Sequence, residues 1–429
     1  MRGAVIATLV VLPALASCRK ATDATPGGSD AATAPTDASY AVAPAVAAPR
    51  CQPAGAGLAV PEPEDLEVGD AIAWPGGYAV GLVHRTRGGR VAAVGLTGGD
   101  LKALRVVELG PTLGDAQPPS LAVRGTELLA AAYAVPARGE ARELRVVEVG
   151  TSGEVRTLGA ITEARDDSLA IDLAPGMLVW DEATTGPAAH GVIRAAVVSP
   201  DGHVGAPHDV SPPESDADTP RIVASGAGYF VLWVARHPEP AMGPVDAAPP
   251  PESIGEPRTL SWIEMVVVDA AGAPGGPVRH LTPVTGHVSA YDVRPLPWQA
   301  RSAVLVVARD QGEAVDGSGG SLLRVRARED AIEPTLGFPT EGLGRGAPRL
   351  VDVAAEAHAP WLAWVDAHEA MRLLPLDTEG APAGPASPEP ALEDRSPLLS
   401  LGGHDGGGRL LVAAPADPTA QLQVLACGR

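Results

Sequence analysis

The chain has 429 residues with 32 basic and 52 acidic side chains, which gives a formal net charge of −20. A protein that binds nucleic acid presents lysines and arginines that neutralise phosphates, whereas this chain has two lysines, Lys20 and Lys102, and a large acidic excess. Nucleic acid is therefore excluded as an expected partner, and we interpret the acidity as a solvated surface rather than a specific cation site.

The N-terminal residues carry the pattern of an export signal. Arg2 precedes an apolar run over residues 4–12, which is too short to cross a bilayer because a spanning helix needs about 20 residues. The sequence Leu-Ala-Ser-Cys at 15–18 resembles the lipobox of bacterial lipoproteins. This resemblance implies a signal peptide over residues 1–17, a diacylglyceryl group on the Cys18 thiol, cleavage before Cys18 and acylation of the new amine. The alternative is an ordinary secretory signal with an incidental cysteine.

Residues 18–50 are predicted to form a lipidated, disordered tether. The stretch is rich in Ala, Thr, Pro, Asp and Ser, and Tyr40 is its one aromatic residue, so it has too little apolar surface to offset the entropy of ordering. A flexible chain of this length spans about 30 Å. Arg19 follows the anchor cysteine, and resemblance to enterobacterial sorting then favours the outer membrane over the inner one.

The remaining residues, 51–429, are predicted to form an all-β domain. Apolar residues make up 45% of the chain and aromatic residues 3%, while 50 glycines and 44 prolines are scattered along it. This distribution is typical of many short elements separated by turns. No long segment has sustained helical periodicity.

A turn motif recurs along this domain about every 50 residues. The sequence Val-Asp-Ala-Ala-Gly at 268–272 matches Leu-Asp-Thr-Glu-Gly at 376–380, and Val-Ser-Pro-Asp-Gly at 198–202 is a third copy. Weaker copies lie at 149–153 and 95–99, and a degenerate copy is expected near Asp330. Glycine supplies the positive φ that such turns need. A longer interval contains a Pro-rich stretch from His237 to Pro257, which we interpret as a surface insertion.

Short apolar runs precede these turns in seven copies. Their continuous apolarity predicts strands covered on both faces. A third element precedes five of them, at 120–123, 168–171, 221–224, 349–352 and 397–400. The seven runs are 78–83, 128–133, 177–180, 229–234, 303–307, 361–365 and 410–413.

A period of about 50 residues with four strands each is typical of β-propellers. Over residues 55–427 the chain resembles a seven-bladed β-propeller in this generic sense, without the fingerprint of a particular propeller family. The last repeat supplies three strands, so we predict that an N-terminal strand near residues 57–60 completes it and closes the ring. The alternative is a row of β-sandwiches of about 100 residues each.

Two further cysteines, Cys51 and Cys427, stand at the ends of this domain. A ring closed as described places them side by side, and the envelope permits disulfides. We therefore predict a Cys51–Cys427 disulfide. The alternatives are two free thiols or an intermolecular bridge.

The motifs that usually carry catalysis or cofactor binding are missing from the sequence. It has no phosphate-binding loop, HExxH zinc motif, serine nucleophile elbow or EF-hand loop, so no catalytic, cofactor or metal site is expected. The pairs Asp216/Asp218 and Asp166/Asp167 could offer oxygens to calcium, but acids in loops are common in so acidic a chain. Four side chains follow the repeated apolar runs and could meet in a central channel, although we favour a role at strand ends. These are Asp181, His237, Asp310 and Asp366.

The sequence leaves two classes of function open. The first is a non-enzymatic binding or scaffold module, anchored in the cell envelope by its lipid and recognising a protein partner through its loops. The second is a hydrolase or lyase of the propeller type with carboxylates in its channel. Carboxylates that converge in a central pocket would favour the enzyme, and a channel of small apolar residues would favour the module.

Overall fold

A computed structural model describes the chain from Arg50 onward, with gaps. The expected signal peptide, Cys18 and the tether up to residue 49 lie outside the described residues. The described residues are 50–53, 58–59, 66–114, 116–135, 142–162, 170–185, 189–226, 228–238, 259–295, 302–310, 321–328, 336–337, 348–351, 361–366, 368, 371–377, 379–389, 398–404, 407–413 and 421–428.

The described residues form β-strands and turns without a helix, which confirms the all-β prediction. The strands of the N-terminal part are β1 (Arg50–Pro53), β2 (Leu58–Ala59), β3 (Glu67–Trp74), β4 (Gly77–Thr86), β5 (Gly89–Thr97), β6 (Arg105–Pro111), β7 (Ser120–Arg124), β8 (Glu127–Ala134), β9 (Glu143–Val149), β10 (Val155–Ile161), β11 (Ile171–Ala174), β12 (Met177–Ala183), β13 (Gly191–Val197) and β14 (His208–Asp209). Those that follow are β15 (Asp216–Ser225), β16 (Gly228–Pro238), β17 (Thr259–Asp269), β18 (Arg279–His280), β19 (His287–Pro295), β20 (Ser302–Asp310), β21 (Ser321–Arg328), β22 (Leu336–Gly337), β23 (Arg349–Val351), β24 (Trp361–Val365), β25 (Met371–Pro375), β26 (Ser387–Glu389), β27 (Leu398–His404), β28 (Gly407–Ala413) and β29 (Gln421–Gly428).

These strands form antiparallel sheets that match the blades of a propeller. Six sheets take four consecutive strands each, from β3–β6 through β23–β26, and the last combines β27, β28 and β29 with β1 and β2. The seven apolar runs of the sequence are the second strands of these sheets, from β4 to β28. Those whose burial the structure describes are almost wholly buried, as Leu128–Ala132 of β8 illustrates.

Among the described residues, six pairs of neighbouring sheets share an apolar cluster. On β12, Leu178 and Trp180 belong to a cluster shared with the β7–β10 sheet, whereas Met177 and Val179 belong to one shared with the β15–β18 sheet. Successive side chains of a strand point to opposite faces, so both faces of this sheet are covered by protein. A two-layer β-sandwich leaves one face of each sheet to solvent, and this arrangement therefore disfavours the alternative of tandem sandwiches.

The first strands of the sheets contact one another in chain order. β3 contacts β7, β7 contacts β11, and the series continues through β15, β19 and β23 to β27, which in turn contacts β3. A further cluster joins the last sheet to the first one, because Leu58 and Leu422 pack with Tyr78 and Leu82. Neighbouring sheets therefore meet along their first strands.

The N-terminal strands pair with the C-terminal strand of the chain. Cys51 on β1 is the register partner of Cys427 on β29, and Leu58 on β2 is the partner of Leu422. The strand expected near residues 57–60 is therefore present as β2. The structure adds β1, which the sequence did not predict as a separate strand.

The recurring turn has the same geometry in its strong copies. Gly202, Gly272 and Gly380 have φ values of 89°, 85° and 75°. Gly272 donates its N–H to the carbonyl of Asp269 at 3.0 Å, and the other copies repeat this bond. The weak copy at 95–99 is built differently, because there Leu101 takes the positive φ, at 53°. The degenerate copy near Asp330 lies outside the described residues.

Replacing Gly272 by alanine is expected to destabilise the protein by about 1–2 kcal/mol, the cost of left-handed backbone for a residue with a Cβ. The new Cβ would also lie 2.5 Å from Cε1 of His208, whose Nε2 is 2.9 Å from the Gly272 carbonyl. Gly276→Ala is the matched control, because a Cβ there meets nothing within 4 Å. Chemical denaturation of both variants measures the difference, and equal midpoints would contradict the assigned turn geometry.

Candidate functional site

Acidic side chains on the first strands link neighbouring sheets. Asp172 on β11 accepts the backbone N–H of Ile222 on β15 at 2.8 Å and the Ser120 hydroxyl of β7 at 2.9 Å. Asp292 on β19 repeats this arrangement, because it accepts the N–H of Leu350 on β23 at 2.7 Å. These carboxylates therefore satisfy polar groups of the adjacent sheets at the places where first strands meet.

Arg221 on β15 lies among these acids. The negative charges of Asp172, Asp70 and Asp292 act on its guanidinium, as does Tyr291. Burial by itself would lower the pKa of Arg221, but the carboxylates of Asp172 and Asp70 outweigh burial and raise it. Its Nη1 donates to the carbonyl of Pro220 at 3.3 Å, while its Nε is buried without a hydrogen-bond partner. Arg221 is thus grouped with Asp172, Asp70, Asp292 and Tyr291, which together we call the central polar cluster.

The backbone beside Arg221 is strained. Thr219 has a φ of 51° in a bulge of β15 between Asp218 and Arg221, and positive φ is unusual for a β-branched residue. Its N–H donates to Oδ2 of Asp181 at 3.3 Å, and its carbonyl accepts the Tyr291 hydroxyl at 2.7 Å. Groups from the preceding and the following sheet therefore hold this conformation in place.

Burial also raises the pKa of two side chains beside the bulge, Tyr291 and Asp218. It raises the pKa of the Tyr291 phenol well above its ordinary value, an effect that Arg221 only partly offsets. It also raises the pKa of Asp218, although Arg236 forms an ion pair with that carboxylate at 2.7 Å. The phenol is therefore a neutral hydrogen-bond donor at neutral pH.

The acids considered for a channel from the sequence occupy other positions. Asp181 on β12 is buried and accepts the N–H of Ala170 at 2.9 Å besides that of Thr219. Asp366 is buried after β24 and accepts Nε of Arg372 at 2.6 Å. His237 is exposed on β16, and the side chain of Asp310 lies outside the described residues. The hydrogen bonds described for Asp181 and Asp366 go to different partners.

The residues weighed as metal ligands are also engaged elsewhere. Asp216 accepts the N–H of Gly191 at 2.7 Å, and Asp218 pairs with Arg236. Asp166 and Asp167 lie outside the described residues. Within the part of the chain that the structure describes, no three His, Cys, Asp or Glu side chains group in a way that could hold a metal ion.

Sequence reasoning missed the central polar cluster. The pattern that carries it is an acid between apolar residues in a first strand, as in Ile-Asp-Leu at 171–173 and Tyr-Asp-Val at 291–293. The sequence predicts the corresponding element at 168–171, because Ser168-Leu169 resembles Ser120-Leu121, whereas the first strand of this sheet is β11, Ile171–Ala174. The signal that identifies Asp172 is the hairpin between β11 and β12, in which Ala174 pairs with Met177. This register places Asp172 in the first strand of its sheet.

The substitution Asp172→Asn tests the electrostatics of the cluster. Burial raises the pKa of Asp172 above 3.8, and Arg221 only partly offsets it. The folded protein then keeps this proton longer than the unfolded chain does, so the contribution of Asp172 to stability falls as pH rises through the folded pKa. Asparagine removes this contribution and keeps an oxygen for the Ile222 N–H. The unfolding free energy of the variant, relative to the parent, is therefore expected to rise as pH increases from about 4 to 7.

Asp201→Asn is the control with the opposite sign. The Ser199 hydroxyl lowers the pKa of this exposed carboxyl, so its small contribution is present above the ordinary pKa and is lost as pH falls. Urea titrations of both variants across this pH range measure the two trends. The same trend for both variants would contradict the raised pKa of Asp172.

The structure describes the cysteines and the Pro-rich insertion only in part. Cys18 lies outside the described residues. Cys51 and Cys427 are opposed across β1 and β29 by their backbone register. The Pro-rich stretch begins at the end of β16, at His237 and Pro238, and residues 239–258 are not described. None of the described segments forms an apolar helix of membrane-spanning length.

Comparison with known proteins gives distant similarities of fold. No family model and no curated protein matches the chain. The β-propeller domain of the trilobed protease from Pyrococcus furiosus is similar over 84% of this chain and 93% of that one, with 8% identity and a TM-score of 0.46. A lignostilbene dioxygenase from Pseudomonas brassicacearum is similar over 78% and 72%, with 14% identity and a TM-score of 0.43. A prolyl endopeptidase is similar over 81% of this chain but 46% of its own, with 13% identity and a TM-score of 0.45. Likenesses this distant carry no information about activity.

Proposed function

We propose that this protein is a lipid-anchored, non-enzymatic binding or scaffold module of the bacterial cell envelope. The observation that carries the proposal is that buried and half-buried acids of the first strands accept hydrogen bonds from the protein's own backbone. Asp172 and Asp292 accept hydrogen bonds from backbone N–H groups of the adjacent sheets. Asp181, on the second strand β12, accepts the N–H of Thr219 on the adjacent sheet and that of Ala170 beside its own sheet. Carboxylates engaged in this way hold a rigid framework together, whereas a general acid or base needs access to a substrate proton.

The proposed framework is a closed ring of seven blades. The contact of β27 with β3 supports closure, as does the action of Asp70 on Arg221. Asp70 is on the first strand of the β3–β6 sheet and Arg221 on that of the β15–β18 sheet, with two sheets between them in the chain. Charges on such distant strands act on each other when the first strands surround a common centre.

The ring is proposed to be stapled by a Cys51–Cys427 disulfide. Directly opposed residues in an antiparallel pair have Cα atoms about 4.5–5.5 Å apart, within the range of about 4.4–6.8 Å that a disulfide requires. The register of β1 and β29 makes these two cysteines opposed partners, which supports the pairing that the sequence predicted.

The anchor is proposed to be a diacylglyceryl group on Cys18, in the outer membrane, after removal of residues 1–17. Acylation at two positions gives stable attachment, because each buried methylene contributes about 0.8 kcal/mol and a single chain is marginal. Residues 19–49 then tether the domain to the membrane surface. The expected partner is another protein of the envelope, bound on the loop faces of the ring.

Two measurements test this proposal. Metabolic labelling with palmitate is expected to label the parent protein and not a Cys18→Ser variant, which should appear in the soluble periplasmic fraction. Affinity purification of the parent from crosslinked membranes is then expected to retain one envelope protein in near-stoichiometric amount. Labelling of the Cys18→Ser variant would contradict the anchor, and purification of the protein alone would contradict the scaffold role.

A hydrolase or lyase remains the second candidate, because Arg221, Tyr291 and several acids converge. An enzyme of this kind would release soluble fragments from envelope polysaccharide or peptidoglycan, and Asp292→Asn would abolish the release while the protein stayed folded. Mass spectrometry of the supernatant after incubation decides between the two candidates. If the protein is a binding or scaffold module, neither the parent nor the Asp292→Asn variant releases fragments.

A further inference from the structure

The N-terminal segment pairs with β29 through two strands of different character. β1 pairs residue by residue from Arg50↔Gly428 to Pro53↔Leu425 and is the outermost strand of its sheet. β2 pairs through Leu58 and Ala59, and Leu58 is 1% exposed in the apolar cluster with Tyr78 and Leu82. Burial of Leu58 therefore holds β2 independently of any bond at Cys51.

We propose that the cysteine pair makes β1 a redox-controlled strap, which reduction releases while β2 and the ring stay closed. This inference rests on the disulfide proposed above. β1 is the outermost strand of its sheet, where it pairs with β29 and also contacts β26. A bond between Cys51 and Cys427 would tie this short strand covalently to β29, and thiol–disulfide exchange would remove that tie.

The chemical step is thiol–disulfide exchange with an envelope dithiol. A thiolate of the dithiol attacks one sulfur of the Cys51–Cys427 bond and forms a mixed disulfide, and the other cysteine leaves as a thiolate that takes up a proton. The second thiol of the reductant then displaces the remaining cysteine. The dithiol is oxidised to a disulfide, and Cys51 and Cys427 become thiols.

Reduction changes the two strands unequally for a physical reason. A four-residue edge strand makes few hydrogen bonds, which offset little of the entropy of ordering it. Without the covalent link, β1 is expected to detach and to leave the edge of β29 at residues 425–428 open to solvent. The pairs Leu58↔Leu422 and Ala59↔Gln421 persist because their backbone is tied to a buried side chain.

Hydrogen–deuterium exchange of the full-length protein in detergent tests the proposal, with and without a phosphine reductant. Amides of residues 50–52 and 425–428 are expected to exchange about tenfold faster or more after reduction, because they open locally. Amides at 58–59 and 421–422, and those of the core strand β12, are expected to change by less than about twofold. The double variant Cys51→Ser/Cys427→Ser should show the reduced pattern without reductant.

The outcomes separate this inference from the disulfide on which it rests. Peptide mapping before reduction shows whether the bond exists, and its absence would overturn the staple and the strap together. If the bond is present, faster exchange at β2 or β12 along with β1 would show global opening and overturn the strap. Unchanged exchange at β1 would overturn it as well.

Discussion

Replacing Arg221 by methionine is expected to lower the free energy of unfolding by up to about 3 kcal/mol, because it removes one partner from a group of largely, but not fully, buried charges. Methionine retains much of the side-chain volume, but it leaves the carboxylates of Asp172, Asp70 and Asp292 without the guanidinium that acts on them. Calorimetric or urea-induced unfolding measures the loss.

Arg87→Met is the matched control. Arg87 is exposed in the turn between β4 and β5, and substitutions at such surface positions usually change stability by less than about 0.5 kcal/mol. Arg221→Lys keeps a positive charge and should recover part of the loss. Equal effects of Arg221→Met and Arg87→Met would show that the central polar cluster does not stabilise the fold.

Replacing Leu58 by alanine is expected to lower the free energy of unfolding by about 2–5 kcal/mol, as for other large-to-small substitutions in cores. Leu58 is 1% exposed and packs with Tyr78, Leu82 and Leu422. It belongs to β2, the short strand that precedes the first four-stranded sheet in the chain. Val155→Ala is the control, because that side chain is 40% exposed on β10. A loss below about 0.5 kcal/mol for Leu58→Ala would mean that the N-terminal segment is not part of the core.

The sequence was informative where a local pattern has a single structural meaning. The runs at 128–133 and 229–234 became buried second strands because continuous apolarity over a few residues suits a strand covered on both faces. The turns at Gly202 and Gly272 followed from the need for positive φ. The presence of β2 followed from counting strands in the last repeat.

Sequence reasoning was less informative where position depends on the register between sheets. Asp172 and Asp292 resemble any acid in an amphipathic strand, and their partners, Ile222 and Leu350, are 50 and 58 residues away. No glycine stands at the bulge of Thr219 to indicate a positive φ in the sequence. Asp181 and Tyr291, from the neighbouring sheets, hold its conformation. Such features depend on tertiary contacts, and single-sequence patterns do not encode them.

The central proposal is that the ring is stapled where the two ends of the domain share one sheet, by a bond between Cys51 on β1 and Cys427 on β29. Peptide mapping of the protein from membranes, under non-reducing conditions and with free thiols blocked at lysis, tests it most directly. The expected result is a linked pair of peptides containing Cys51 and Cys427, opposed partners in this register. Recovery of both cysteines as blocked free thiols, or of either one joined to another chain, would contradict it.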